Sequence, residues 1–364
     1  MRRLLSSLDE RIDAVGSLRA VEVLRICAGP LVILHLRPFL DAASAGIVYS
    51  DRFWQPYADW YPEVSRHAYL MLLRGCVIAA VLLSIGLLTR AAAVYSAGFV
   101  GYNLFLSVTH FHHNRAFLLA LLTGLALLPM GRSLSVDALL RARPAAAAPL
   151  WPLWLMRFEV VVAYGASGFS KLIDSDWWSG LVTRLRVEQW SEMAAGRGAP
   201  EWLLDLLRTD GFHWWFAKAA VATELFIAVG LLLRRTRLAA VWVAVPFHLA
   251  VEVTAEVQVF SWAALAALVI WATPAAHDRR LEVPSETVRR LLPLLDWLGR
   301  FTVEAGERLV LHDRDAVHEG AAAVRIVLSR LPLTFWVVAP FQLPGLRRVW
   351  DRSIGRRLVR ATAR

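Results

Sequence analysis

One lysine stands out among the side chains of this sequence that could do chemistry. The basic residues are nearly all arginine, and the two lysines are Lys171 and Lys218. Lys171 ends the apolar stretch YGASGFSK at 164–171 and precedes an acidic, tryptophan-rich segment that contains Asp176 and Trp177. A lysine that is removed from water can give up its proton, whereas an arginine cannot. The residue type therefore predicts a proton-accepting amine, and the alternative is a lysine that extends to the membrane surface.

The residues before Lys171 repeat at helical spacing. Steps of three, four and seven place Arg157, Tyr164, Ser167 and Lys171 on one face of a helix. Ionisable residues within a membrane segment usually face the bundle interior or an aqueous cavity. The pattern therefore predicts that this face is turned towards other helices.

Histidines and acids in the other apolar segments form a second set of candidates. His110, His112 and His113 lie in one turn, but a membrane metal oxidase needs several such clusters, so no metal is predicted. Glu22 and Arg25 are three positions apart and are predicted to neutralise each other. An intramembrane ion pair is also the prediction for Lys218 and Glu224.

Composition places these residues in a membrane protein. The chain has 364 residues, is 57% hydrophobic, has a mean hydropathy of +0.47 and carries a net charge of +10. Repeated apolar runs of near-spanning length are typical of polytopic proteins. The arginines lie at the ends of these runs, which indicates topology determinants rather than nucleic-acid binding. Cys27 and Cys76 lie within apolar segments without a redox spacing.

The sequence predicts an all-α polytopic membrane protein with about eight transmembrane helices and a short amphipathic or interfacial C-terminal region. The predicted parts are a cytoplasmic amphipathic N-terminus at 1–19, a membrane domain at 20–274 and a basic cytoplasmic or interfacial tail at 275–364. Arginine-rich connections alternate with mixed or acidic ones, which predicts that both termini are cytoplasmic. Lys171 and the histidine turn would then lie near the outer face of the cell membrane. The predicted spans are 20–39, 68–88, 91–109, 115–130, 151–171, 212–233, 238–254 and 258–273.

The tail is predicted to hold an amphipathic surface helix at 285–304, a short strand and turn at 309–320, and an interfacial segment at 336–341. The stretches at 311–320, 330–332 and 343–364 are also similar to the C-terminal half of DCC-type thioredoxin-like domains, and the cysteine-bearing half of that family is missing. The interpretation is a degenerate remnant with no redox activity.

The membrane part resembles a known family. The stretch YGASGFSKL at 164–172, followed by Asp176, Trp177 and Gly180, is similar to the lysine motif of vitamin K-dependent γ-carboxylases. Two more stretches match this family in the same order, from Asn114 to Asp137 and from Phe247 to Trp262. The bacterial relatives carry the HTTM, or horizontally transferred transmembrane, domain, and the resemblance covers about residues 18–275.

The resemblance implies a mechanism and a set of site residues. In the family a lysine deprotonates a reduced naphthoquinone, whose reaction with oxygen gives a strong base. That base removes a proton from a glutamate, a histidine assists and carbon dioxide adds. Carried over, the catalytic residues are Lys171, His113 and His248, and the substrate- or cofactor-binding residues are Tyr164, Asn114, Trp177 and Asp176.

Three interpretations stay open at this point. The first is a membrane enzyme that uses a menaquinone-like cofactor for epoxidation, with or without carboxylation. The second is a non-enzymatic lipid- or quinone-binding scaffold or transporter-type subunit. The third, less favoured, is a metal-dependent membrane oxidase that uses His110, His112 and His113. The sequence leaves open whether His113 or Asn114 takes the position of the family's assisting histidine. The predicted partners are the lipid bilayer, a hydrophobic small molecule and an unidentified protein substrate, and no nucleic acid.

Overall fold

A computed structural model describes residues 15–16, 18–47, 55–141, 148–196, 198–233, 235–255, 259–272, 279–313 and 316–362. Most of the predicted amphipathic N-terminus, at 1–14 and 17, lies outside these residues. The chain forms two compact units, Met1–Trp271 and Ala272–Arg364.

The first unit is built from helices. Two-residue strands β1 (Val15–Gly16) and β2 (Ala148–Pro149) pair antiparallel, and short 3-10 turns lie at Val108–His110 and Leu268–Ala272. The helices in chain order are α1 (Arg19–Ser44), α2 (Arg66–Ile85), α3 (Thr89–Leu106), α4 (His113–Leu127), α5 (Val136–Leu140), α6 (Trp151–Ile173), α7 (Ser175–Ser179), α8 (Leu181–Gly196), α9 (Glu201–Leu207), α10 (Asp210–Leu232), α11 (Arg237–Ala255) and α12 (Val259–Ala267).

A helix overlaps each of the eight predicted spans. Among the described helices, three are long and apolar enough to cross a membrane: α1, α2 and α10. The segments His113–Leu127 and Val259–Trp271 are apolar but shorter. These findings support a membrane protein, and they bear out fewer spans than the sequence predicted.

Sequential helices of the first unit pack against one another, and α6 and α10 pack closely at a glycine. α6 packs along α10, and Gly168 lies at a tight contact between them, since an added Cβ would lie 3.0 Å from Leu225 Cδ2. The neighbouring Gly165 faces Ala228. Small residues allow two helix backbones to approach closely where larger side chains would hold them apart.

The predicted pair of Glu22 and Arg25 is confirmed and joins three segments. Arg25 Nε lies 2.8 Å from Glu22 Oε2, and both side chains are buried. The same guanidinium donates to the carbonyls of Leu83 and Ser84 at the end of α2 and to Leu134 O. Carbonyl groups in the last turn of a helix lack partners within it, so this arginine satisfies the end of α2.

The second unit contains a sheet, so the all-α prediction is wrong for the tail. The strands β3 (Arg279–Val283), β4 (Thr302–Ala305), β5 (Val310–Asp313) and β6 (Ala316–Glu319) lie in the order β4-β3-β5-β6. β3 and β4 are parallel, whereas β3–β5 and β5–β6 are antiparallel. The helices are α13 (Glu286–Leu295), α14 (Gly320–Leu328), α15 (Phe335–Val338), α16 (Pro344–Val349) and α17 (Gly355–Thr362), with a 3-10 turn at Ala339–Gln342 and a π turn at Trp350–Ile354.

Two local features explain the differences from the predicted tail. The helix expected at 285–304 ends at Leu295, because the Asp296 carboxylate accepts the backbone N–H groups of Arg300 and Phe301 and closes a turn there. The segment at 336–341 is not merely interfacial. Val338 is buried in the core of this unit, and the ring of Phe341 lies 5.2 Å from that of Trp350.

Candidate functional site

Lys171 forms an ion pair between α6 and α10. Its Nζ lies 2.7 Å and 2.9 Å from the two carboxylate oxygens of Glu224 and 2.5 Å from Ser167 Oγ. The Ser167 hydroxyl donates to Glu224 Oε1 at 3.2 Å. The side chains of Lys171 and Glu224 are 18% and 9% exposed. Three side chains thus form one closed hydrogen-bonded group that is largely shielded from solvent.

The local sequence explains why these groups meet. Ser167 and Lys171 are four residues apart, so they lie on one face of α6, as predicted. Gly168, between them, brings α6 against the Cβ of Glu224, which an added methyl group would approach to 3.2 Å. The carboxylate therefore reaches the lysine of the facing helix.

Trp177 covers the same ammonium group. Its ring centroid lies 5.1 Å from Lys171 Nζ, within the range of a cation–π contact. The Asp174 carboxylate accepts the backbone N–H groups of Asp176 and Trp177 and thereby starts α7 directly after α6. Asp176 is exposed and takes part through its backbone. Lys171 thus contacts Trp177, and the carboxylate that caps the N-terminus of α7 belongs to Asp174.

Lys218, the other lysine, binds the next tryptophan instead of Glu224. Its Nζ lies 3.6 Å from the ring centroid of Trp178 and 4.6 Å from that of Trp214, and it donates to Trp178 O. The predicted Lys218–Glu224 pair is therefore wrong. The two lie six residues apart on one helix, and Glu224 faces α6 while Lys218 faces α7.

A second polar pair lies deeper between α6 and α11. Tyr164 Oη and His248 Nε2 are 2.5 Å apart, and both residues are buried. The imidazole also packs against Phe260, whose ring in turn packs against Phe117 of α4. Within the described part of the chain His248 Nδ1 has no hydrogen-bond partner. The site thus has a buried polar atom among aromatic rings.

His113 and Asn114 lie at the start of α4 and are not partners of Lys171, which binds Glu224, Ser167 and Trp177. His113 is exposed and Asn114 is half-buried. Their neighbour His112 accepts the backbone N–H of Asn114 at 3.3 Å and so caps α4. No group of three or more His, Cys, Asp or Glu residues is placed to hold a metal in the described ranges.

Sequence reasoning did not connect Glu224 to Lys171. The available signal was an acid within an apolar segment, which needs a partner of opposite charge. The choice between two lysines depended on how α6 and α10 align, and spacing along one chain segment does not contain that information.

The helical bundle, with three helices able to cross a membrane and charged groups paired between helices, defines an integral membrane protein. The chain matches the HTTM domain family over residues 17–275 and belongs to that family. No curated protein and no solved structure matches the chain.

Proposed function

We propose that the membrane unit is an enzyme in which Lys171 accepts a proton from a reduced, menaquinone-like naphthoquinone. The observation that carries the proposal is the closed group of Lys171, Glu224 and Ser167 in a largely water-shielded place. An ammonium group must lose a proton before it can act as a base. Glu224, at 2.7 Å, is the acceptor within reach, so the pair can share that proton without bulk water.

The residues around the pair fit a flat ring that carries oxygen atoms. His248 Nδ1 is a buried polar atom without a partner in the described chain, and aromatic rings surround it. Trp177 offers a further ring beside Lys171. The reduced quinone would supply an acidic hydroxyl group and the electrons for reaction with oxygen. Trp177, Tyr164 and His248 would hold its ring, with His113 or Asn114 as an assisting group by family resemblance.

The proposed topology has eight spans, both termini in the cytoplasm and the Lys171 site near the outer face of the cell membrane. Helices at all eight predicted places and the arginine-rich connections support this arrangement. Cysteine-accessibility labelling in intact cells tests it. Probes on the described loops after α2 and after α10 should remain protected, and a probe between α3 and α4 should react.

The activity test uses purified full-length protein with reduced menaquinone and oxygen. Formation of quinone epoxide is expected, and Lys171→Ala and Lys171→Arg should both abolish it, because arginine supplies a cation but no base. Epoxide formation that is unchanged in Lys171→Ala would refute the assignment. Formation of a carboxylated product can be followed with labelled bicarbonate.

A second candidate function is a non-enzymatic module that binds a lipid or quinone. The bidentate contact between Lys171 and Glu224 is also the geometry of a purely structural ion pair between two helices. This alternative predicts that Lys171→Arg retains both the fold and quinone binding, measured by co-purification and mass spectrometry. The enzyme predicts that Lys171→Arg binds quinone without turnover.

A further inference from the structure

A polar cluster separate from Lys171 lies where α1, α2, α3 and α4 meet. Tyr69 Oη donates to Asn103 Oδ1 at 2.8 Å, and His110 Nδ1 lies 3.0 Å from Asn103 O. Asn103 is 1% exposed, and its Nδ2 has no partner among the described residues. Turning the amide around would leave its oxygen without one instead. One end of this buried amide is therefore unsatisfied in either orientation.

Arg115 adds a positive charge to this cluster. Its guanidinium lies 4.8 Å from the centroid of Phe39, donates to His110 O at 2.7 Å and is within electrostatic range of Tyr69. Among the residues that the structure describes, no carboxylate forms an ion pair with it. The same ring of Phe39 packs on His35, whose buried Nε2 has no hydrogen-bond partner in the part of the chain that the structure describes.

These features make the cluster rich in donors and poor in negative charge. A buried polar group without a partner costs free energy, and an uncompensated charge costs more. Burial lowers the pKa of His110 against the effect of its hydrogen bond to Asn103, and Arg115 lowers it further. The imidazole is therefore neutral at pH 7, and Arg115 is the dominant charge.

We propose that this cluster binds a small monocarboxylate. One guanidinium balances one negative charge, and its planar pair of N–H groups matches the two oxygens of a carboxylate. The Asn103 amide would donate to the bound anion, and the face of Phe39 would bound the site on one side. This site does not depend on quinone chemistry, although α4 carries both Arg115 and Phe117, the neighbour of Phe260.

The test uses the purified full-length protein in detergent with sodium benzoate as probe. Thermal unfolding and calorimetry are measured at constant ionic strength, with neutral benzamide and sodium sulfate as comparison compounds. Benzoate should raise the unfolding temperature saturably, as a ligand of the folded state does. Benzamide should have no such effect, and sulfate a smaller one.

Variants assign the effect to the cluster. Arg115→Gln should weaken benzoate binding at least about tenfold, the loss expected for a charged hydrogen-bonded contact. Arg37→Gln is the matched control, because Arg37 lies on α1 between His35 and Phe39 but is exposed. The Arg37→Gln variant should bind benzoate as tightly as the unaltered protein does. If Arg115→Gln does not fold, Asn103→Asp serves instead, since a built-in carboxylate should abolish the response to benzoate.

Three results would overturn the proposal. One is an equal response to benzoate and benzamide, and another is a stronger response to sulfate than to benzoate. The third is a benzoate affinity that Arg115→Gln or Asn103→Asp leaves unchanged.

Discussion

The ion pair of Lys171 and Glu224 permits a quantitative prediction. Lys171→Met and Glu224→Gln each remove one charge while keeping nearly the same side-chain volume. Breaking a fully buried pair by removing one partner costs about 3–5 kcal/mol. The pair is less than fully buried, since Lys171 keeps 18% of its side chain exposed. Ser167 still accepts a hydrogen bond from Lys171 in Glu224→Gln and still donates one to Glu224 in Lys171→Met, so the loss here should be smaller. We expect each single variant to lower the free energy of unfolding by about 2–4 kcal/mol.

The double variant separates the pair from its surroundings. With both charges gone no unpaired ion is left, so the double variant should be more stable than the sum of the single losses predicts, with a coupling energy of about 2 kcal/mol. Reversible unfolding in mixed detergent micelles measures all four proteins. The matched control is Arg184 and Glu188 on α8, which form a 2.8 Å pair that is about half exposed and should show no measurable coupling. A Lys171–Glu224 coupling energy below about 0.5 kcal/mol would refute the reasoning.

Further predictions concern the two units separately. Gly86→Ala should destabilise the protein by about 2 kcal/mol or more in denaturant unfolding, because φ is +74° there and a Cβ would clash with Ser135. Although burial raises the pKa of Asp137, the hydrogen bonds from Thr89 and from the backbone of Leu88, together with the charge of Arg141, outweigh it, so the pKa lies below its usual 3.8. The ionised carboxylate therefore stabilises the fold above about pH 4, and this stabilisation is lost as the pH falls through the lowered pKa. The resulting dependence of the free energy of unfolding on pH should disappear in Asp137→Asn. Trp350→Phe removes a 3.0 Å hydrogen bond to a backbone carbonyl and should cost about 1 kcal/mol, measured by proteolysis of the second unit.

Relations within one helix could be predicted from the sequence, and those between helices could not. The four-residue step from Ser167 to Lys171 predicted that they share a helix face, where they form a hydrogen bond, and the three-residue step from Glu22 to Arg25 predicted their ion pair. Glu224 was assigned to the wrong lysine, because its partner depends on the alignment of α6 with α10. Gly168 permits close packing of α6, but a single sequence does not reveal that Glu224 and Leu225 of α10 lie opposite it.

The tail shows a different limit. The apolar spacing after Ser285 predicted one long helix, but the carboxylate of Asp296 closes a turn, and the chain continues into β4. One short strand and a turn were predicted at 309–320, and the structure has two antiparallel strands there, β5 and β6. A strand of four residues such as β4 is defined mainly by its pairing with β3, and this partner is remote in sequence.

Both lysines of the chain lie beside the consecutive residues Trp177 and Trp178. Each lysine of the chain lies over one of these consecutive rings, Lys171 over Trp177 and Lys218 over Trp178. At Lys171 three oxygen atoms lie within 2.9 Å of one nitrogen, which suits a compact ammonium with three donors. A planar guanidinium would need more room and could not bring one atom to all three acceptors. This geometry favours lysine for structural reasons alone, so the composition bias by itself does not establish a base. Turnover by Lys171→Arg, compared with its stability, is the measurement that separates the two roles.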